Sequence, residues 1–395
     1  MDKSSPKLRC RPLSPFALAL LLAGALGAAW GADAGSEPER QQLMIEAGRL
    51  LFFDVRLSEP PGTACASCHD PGRAFTGDNG SGLAVPRGSR PGTLGTRNAP
   101  TVMYLATSPG PGMSEKDGKA VPSGGFFWDG RAATLAEQTL GPLFSAHEMN
   151  NRDMGALVAK VATSEAAAPL KRAYGAAVFA DTASAGRAIT AALAAFEQSP
   201  ALSPFTSRFD AALRGQVRLT EQEERGRSLF VIAQKGNCAS CHSINPDSRD
   251  PRDSLFTDFA FHAPGVPRNG DIAKPGVMDL GRCDALPADA PGRTRWCGWF
   301  KTPTLRNVAL TAPYMHNGRF ANLREAVAFY ATRDTNPERW YPADKFDDLP
   351  LELRGNVDLE TRPYHRKPGQ RPALNDEEID DIVAFLQTLT DGYAP

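Results

Sequence analysis

The chain has 395 residues, room for two domains of ordinary size, and its 42% hydrophobic and 23% charged residues describe a soluble globular protein. A net charge of −1 argues against a nucleic-acid binder, and 36 Gly with 33 Pro point to long loops between the elements that do form.

In chain order, the first feature is an export signal. Lys3, Lys7, Arg9 and Arg11 precede an apolar run over residues 16–29, which gives way to small residues at 31–34. At about 14 residues the run falls short of the ~20 needed to span a bilayer, so residues 1–34 read as a cleaved secretory signal peptide. Cys10 lies before the apolar run, where no lipoprotein anchor would sit. The expected location is therefore the periplasm, where disulfides persist.

Next comes a repeat. Gly48-Arg49-Leu50-Leu51-Phe52 precedes Cys65-Ala66-Ser67-Cys68-His69, and Gly226-Arg227-Ser228-Leu229-Phe230 precedes Cys238-Ala239-Ser240-Cys241-His242. Each first member reads as the end of a helix leading into a loop that carries the cysteines. Residues 70–125 and 243–300 are dense in Pro-Gly and Gly-Gly steps, with no series of alternating strands. Loops of that length in a compact domain call for something that holds them, such as a cofactor. Residues 134–141 predict a short helix, with Thr134 and Glu137 as a capping box and Gly141-Pro142 as its end. Apolar residues at helical spacing over 188–196 and again over 379–386 predict a closing helix for each half. The second is announced by Asn375 as N-cap and by Asp376, Glu377 and Glu378 in its first turn. The fold class is mainly α: two cytochrome c-like haem domains with long irregular loops, over 35–210 and 211–395.

The repeated pentapeptide decides the chemistry. A thioredoxin-like redox pair would want a βαβ setting, which the flanks lack, and the second pair lies about 170 residues away, far beyond zinc-ribbon spacing. Cys-x-x-Cys-His is the attachment signature of a c-type haem, with two thiols for the vinyl groups and the histidine for the iron. Two copies, each with its histidine in register, predict two covalently bound haems on Cys65, Cys68 and His69 and on Cys238, Cys241 and His242. With Cys10 removed, Cys283 and Cys297 remain and are expected to form a disulfide. What lies over the far face of each iron then separates an electron carrier from a peroxide-reactive site.

A longer pattern carries a resemblance. Phe126-Phe127-Trp128-Asp129-Gly130-Arg131, Thr134-Leu135-Ala136-Glu137-Gln138, Gly141-Pro142-Leu143, Glu148-Met149, Lys301-Thr302-Pro303-Thr304-Leu305-Arg306-Asn307 and Ala312-Pro313-Tyr314-Met315-His316-Asn317-Gly318 occur in order with the two attachment motifs. Together they resemble the bacterial dihaem cytochrome c peroxidase/MauG family across essentially the whole mature chain. The resemblance implies a relay role for Trp128 between the haems, and distal-pocket roles for Gln138 and Glu148 in proton transfer to peroxide. It also implies a calcium-site role for Asn98, between the domains. Two departures matter. No histidine occurs between His69 and His147, so the resemblance implies an N-terminal haem that is open without prior reduction. No methionine stands just before Phe300-Lys301-Thr302-Pro303, where the chain reads Cys297-Gly298-Trp299, so the axial ligand of the second haem is expected to be Tyr314, as in MauG-like members, with Met315 behind it.

The expected function is peroxide use at the first haem with electrons relayed from the second. MauG-like or MbnH-like oxidation of a partner protein is favoured over a peroxidase fed by a small cytochrome or copper protein. A plain dihaem electron carrier is the competing class. It would need an internal ligand over the first haem, for which His147 is the candidate.

Overall fold

The computed structural model describes residues 36–116, 118–272 and 277–394; the expected signal peptide at 1–34 lies outside the described residues. Two helix pairs form the frame. The Glu37–Phe52 helix crosses the Thr182–Glu197 helix, and the Glu221–Val231 helix crosses the Asp376–Gln387 helix. Both crossings use a glycine. A Cβ on Gly48 would stand 1.9 Å from the Ala192 carbonyl oxygen, and one on Gly226 would stand 1.9 Å from that of Asp381. The absent side chain lets the backbones meet, and Phe196 and Phe385 pack beside the contact.

Three of these four helices have their N-termini closed by side chains. Asp181 accepts from the Ser184 N–H at 2.7 Å, and Thr220 with Glu223 and Asn375 with Glu378 make reciprocal capping boxes. Asn375 is the N-cap the sequence predicts, and the first-turn acids follow it. The short helix at Leu135–Gln138 differs in detail. Thr134 caps it, but Glu137 reaches the Ala133 N–H rather than that of Thr134, and Gly141-Pro142 lies inside a second helix, Leu140–Phe144. Proline is tolerated in a first turn, where no N–H is needed.

Buried apolar residues fall into two main clusters. One draws on residues 43–202, including Leu51, Phe52, Leu157, Leu170 and Ile189. The other draws on 209–389 and is rich in aromatic rings, among them Phe230, Phe256, Phe329, Trp340 and Phe385. The strands are few: a hairpin of Gly112–Lys116 and Lys119–Ser123, and a two-residue pairing of Phe261–His262 with Phe300–Lys301. The hairpin lies in a stretch whose Pro and Gly residues read as loop alone. Cys283 and Cys297 are bonded to each other with Cα atoms 4.7 Å apart, as expected.

The halves are tied along a polar seam. Arg97 forks onto Asp279 at 2.6 and 2.7 Å while also meeting Asp129 at 2.6 Å. Arg73 donates to the Ala312 carbonyl, Arg282 to that of Asp129, and Tyr104 to the Asp391 carboxylate.

Candidate haem sites and their surroundings

Each attachment motif folds into a single turn. The His69 N–H donates to the Cys65 carbonyl at 2.9 Å, and the His242 N–H to the Cys238 carbonyl at 2.8 Å. The imidazoles are then oriented alike. His69 Nδ1 lies 3.1 Å from the Phe75 carbonyl oxygen, and His242 Nδ1 lies 3.0 Å from that of Phe256. A carbonyl can only accept, so Nδ1 carries the proton and Nε2 keeps the lone pair that a metal would use. Burial lowers the pKa of both, that of His242 to about 4, which keeps the imidazoles neutral as ligation requires.

The loops presenting those carbonyls are built the same way twice. Phe75 and Phe256 both adopt positive φ, 58° and 57°. Thr101 Oγ1 donates to Ala74 and Thr304 Oγ1 to Leu255, each at 2.6 Å. Thr76 and Thr257 donate in return to the Ala99 and Thr302 carbonyls. The repeat therefore extends to Pro100-Thr101 and Pro303-Thr304, short stretches whose correspondence the sequence alone does not announce. Burial pushes the thiols of Cys65, Cys68 and Cys238 up, the last two to about 12, while at Cys241 the burial is outweighed by His262 and Lys116, which lower it. None of the four motif cysteines is in a disulfide.

Around the first motif stands Glu148. Its carboxyl is half-buried, and burial raises its pKa against the opposing pull of Arg131 and Ser145. Its charge helps to raise the Cys68 and Cys65 thiols, so the acid lies within electrostatic reach of the attachment motif. Gln138 is half-buried on the Thr134-capped turn. Arg131 packs over the Phe127 ring at 3.5 Å and pairs with Asp129 at 2.9 Å. His147, next to Glu148 in sequence, is exposed.

Trp128 lies on the seam. Its indole N–H donates to the Asn98 carbonyl at 2.9 Å, and its own carbonyl accepts from the Lys301 N–H at 2.8 Å, so it contacts both halves. Asn98 is buried beside it. Its side-chain amide lies 2.6 Å from the Pro313 carbonyl oxygen and 3.4 Å from that of Met315, and its N–H donates to His316. Turned over, that amide would add a third oxygen to the two carbonyls, a donor set of the kind a hard cation takes.

Tyr314 is buried in the second core, with its hydroxyl donating to the Val308 carbonyl at 3.0 Å. A different tyrosine stands nearer the second motif. Tyr330, on the Leu323–Thr332 helix, has its hydroxyl 3.8 Å from Met315 Sδ, and its ring stacks near Tyr364 with centroids 6.1 Å apart. Burial raises its pKa first, and the charges of Cys241 and Cys238 add to the rise. In sequence, Phe329-Tyr330 sits on an amphipathic helix and reads as core packing, which is why it is passed over.

A family model described as di-haem cytochrome c peroxidase matches residues 42–218. The methylamine utilization protein MauG of Paracoccus denitrificans is 34% identical over 415 residues, covering 98% of this chain and 97% of that protein. Cytochrome c peroxidase Ccp of Escherichia coli is 31% identical, covering 91% of this chain and 62% of that protein. Among solved structures, the diheme peroxidase BthA from Burkholderia thailandensis aligns with a TM-score of 0.83 at 45% identity, over 88% of this chain and 86% of that one. A MauG-like protein associated with microbial copper homeostasis aligns with a TM-score of 0.64 at 30% identity, over 91% of each chain.

Proposed function

We propose that this chain, which belongs to the di-haem cytochrome c peroxidase/MauG family of enzymes, is an exported oxidoreductase that uses hydrogen peroxide at the first motif and oxidises a partner protein. The observation that carries the reading is an asymmetry between two alike attachment sites. A half-buried acid, Glu148, lies within electrostatic reach of the first, while Tyr330 and Met315 stand by the second.

The haems held by Cys65, Cys68 and His69 and by Cys238, Cys241 and His242 supply, when bound, one iron for peroxide and one for electron storage. The Glu148 carboxylate takes a proton from one peroxide oxygen and returns it to the other, so that the departing oxygen leaves as water. The Gln138 amide, rigid on its capped turn, orients the peroxide by a hydrogen bond. Trp128 offers an oxidisable ring where the two halves meet. Reduction of peroxide to two waters takes two electrons and two protons. Here both come from the partner protein, which is left oxidised by two electrons.

Partner oxidation is favoured because the loop after His69 holds no histidine to cap the first site, and because this chain spans 97% of the MauG of Paracoccus denitrificans. The second reading is a peroxidase drawing electrons from a small cytochrome or copper protein. The 45% identity to a structure named as a diheme peroxidase favours it. The non-catalytic carrier loses support, since His147, its candidate ligand, is exposed.

At the second site we favour Tyr330 over Tyr314 as the tyrosine facing the iron, because the Tyr314 hydroxyl already donates to Val308. Asn98 with the Pro313 carbonyl is the proposed calcium position between domains 35–210 and 211–395. Export to the periplasm follows the signal at 1–34, and among the described residues no helix is long and apolar enough to cross a membrane.

Replacing Glu148 with Gln tests the reading. Loss of the carboxylate should slow the peroxide reaction by about 10²-fold or more, with both resting haem spectra unchanged. A variant that reacts with peroxide at the wild-type rate would remove Glu148 from the chemistry.

A further inference from the structure

The hairpin of the first half reaches across to the second attachment motif. Its strands end on the second half: the Gly124 N–H donates to the Phe259 carbonyl at 2.8 Å, Ser123 bridges to Ala260, and Lys119 pairs with Glu360 at 3.1 Å. Near its tip, Lys116 is turned inward, with its side chain 19% exposed. Its ammonium lies 2.5 Å from the Ser240 carbonyl oxygen, 3.3 Å from Cys241 Sγ, 3.2 Å from Asp258 Oδ2 and 3.5 Å from His262 Nε2. Asp258 in turn meets His262 Nε2 at 2.9 Å and accepts from the Ala260 N–H.

Cys241, Asp258 and His262 place their ligand atoms within 4.8 Å of one another, a grouping that could hold a metal ion. Two facts argue against that use. Cys241 is committed to attachment by the second motif, and the Lys116 ammonium stands where it would repel a cation. The cluster is therefore a charge arrangement around the attachment edge. Among the described residues, the groups whose charges act on Cys65 at the first motif are Glu197, Cys68 and Glu148, with no cation among them.

We propose that Lys116 is a positioning residue for charge, delivered by the first half to raise the reduction potential of the second haem. This rests on the two-haem reading above. Adding one electron to an iron site lowers its charge by one, so a fixed cation in a low-dielectric surrounding favours the reduced form. Asp258 acts in the opposite sense and holds the ammonium in place. The different charge environments, with Lys116 and His262 flanking Asp258 at the second motif and carboxyl groups at the first, then separate the potentials of two sites with the same attachment geometry. Electrons from outside are drawn to the second.

The test is spectroelectrochemical titration of the haem-loaded protein, with haems per chain counted by their pyridine adduct. Lys116→Met should shift the midpoint of the second haem downward and leave the first in place, Lys116→Arg should retain the wild-type value, and Asp258→Asn should shift the second upward. A Lys116→Met chain with two haems and an unshifted second midpoint overturns the proposal. Loss of the second haem in that variant also overturns it, by assigning Lys116 to assembly. A wild-type chain that binds fewer than two haems would instead contradict the two-haem reading itself.

Discussion

Glu148 owes its proposed role to what surrounds it. Burial pushes its carboxyl above the ordinary 4.5, and Arg131 and Ser145 pull it back. Only the deprotonated form can accept a proton from peroxide, so turnover should fall as pH drops through that raised pKa. Arg131→Gln removes an opposing charge and leaves burial less balanced. The acid limb of the pH–rate profile should then move to higher pH, with the alkaline side unchanged; a limb that stays put would mean that Arg131 does not act on Glu148. Trp128 makes a different demand. Its indole donates to Asn98, and its backbone accepts from Lys301 of the other half. Trp128→Phe keeps an aromatic ring but gives up the N–H and the easily oxidised indole. Electron transfer between the haems, followed after a peroxide pulse, should slow severalfold while both haems stay attached. Transfer at the wild-type rate would make Trp128 a packing residue.

The helix crossings show how a repeat written in a few residues becomes architecture. Gly48 and Gly226 hold the same place in the two halves, and each meets a carbonyl where a methyl group could not fit. Gly226→Ala should cost at least about 1–3 kcal/mol, read as a lower midpoint of thermal unfolding, because backbone rather than a flexible side chain must move. An unchanged midpoint would mean that the helices separate without penalty. The glycines, the pentapeptides and the closing helices were legible because each leaves a local signature. The threonine–carbonyl pairs behind Phe75 and Phe256 were not. Their residues lie in loops, and the matching roles of Thr101 and Thr304 rest on long-range hydrogen bonds to Ala74 and Leu255. The hairpin at 112–123 was hidden by its own composition, since proline and glycine announce turns more loudly than short strands. Tyr330 was hidden for the opposite reason: an aromatic on an amphipathic helix looks like any core residue.

On the scale of the whole molecule, duplication has supplied two alike attachment frames and divergence has altered what stands around them. Arg306 illustrates the divergence away from the sites. It is fully buried and pairs with Asp210 at 2.9 Å, whereas the first half has Met103 in the corresponding place after its Pro-Thr step. Near the motifs the same drift leaves an acid at the first and a tyrosine, a methionine and a lysine at the second. On the proposed function, these differences make one site open to peroxide and the other closed. Electron paramagnetic resonance of the haem-loaded, as-purified protein measures this directly. One high-spin and one low-spin ferric signal in equal amounts, with hydrogen peroxide perturbing the high-spin signal first, is the predicted result. Two low-spin signals, and no reaction with peroxide even after partial reduction, would contradict the account and leave the protein an electron carrier.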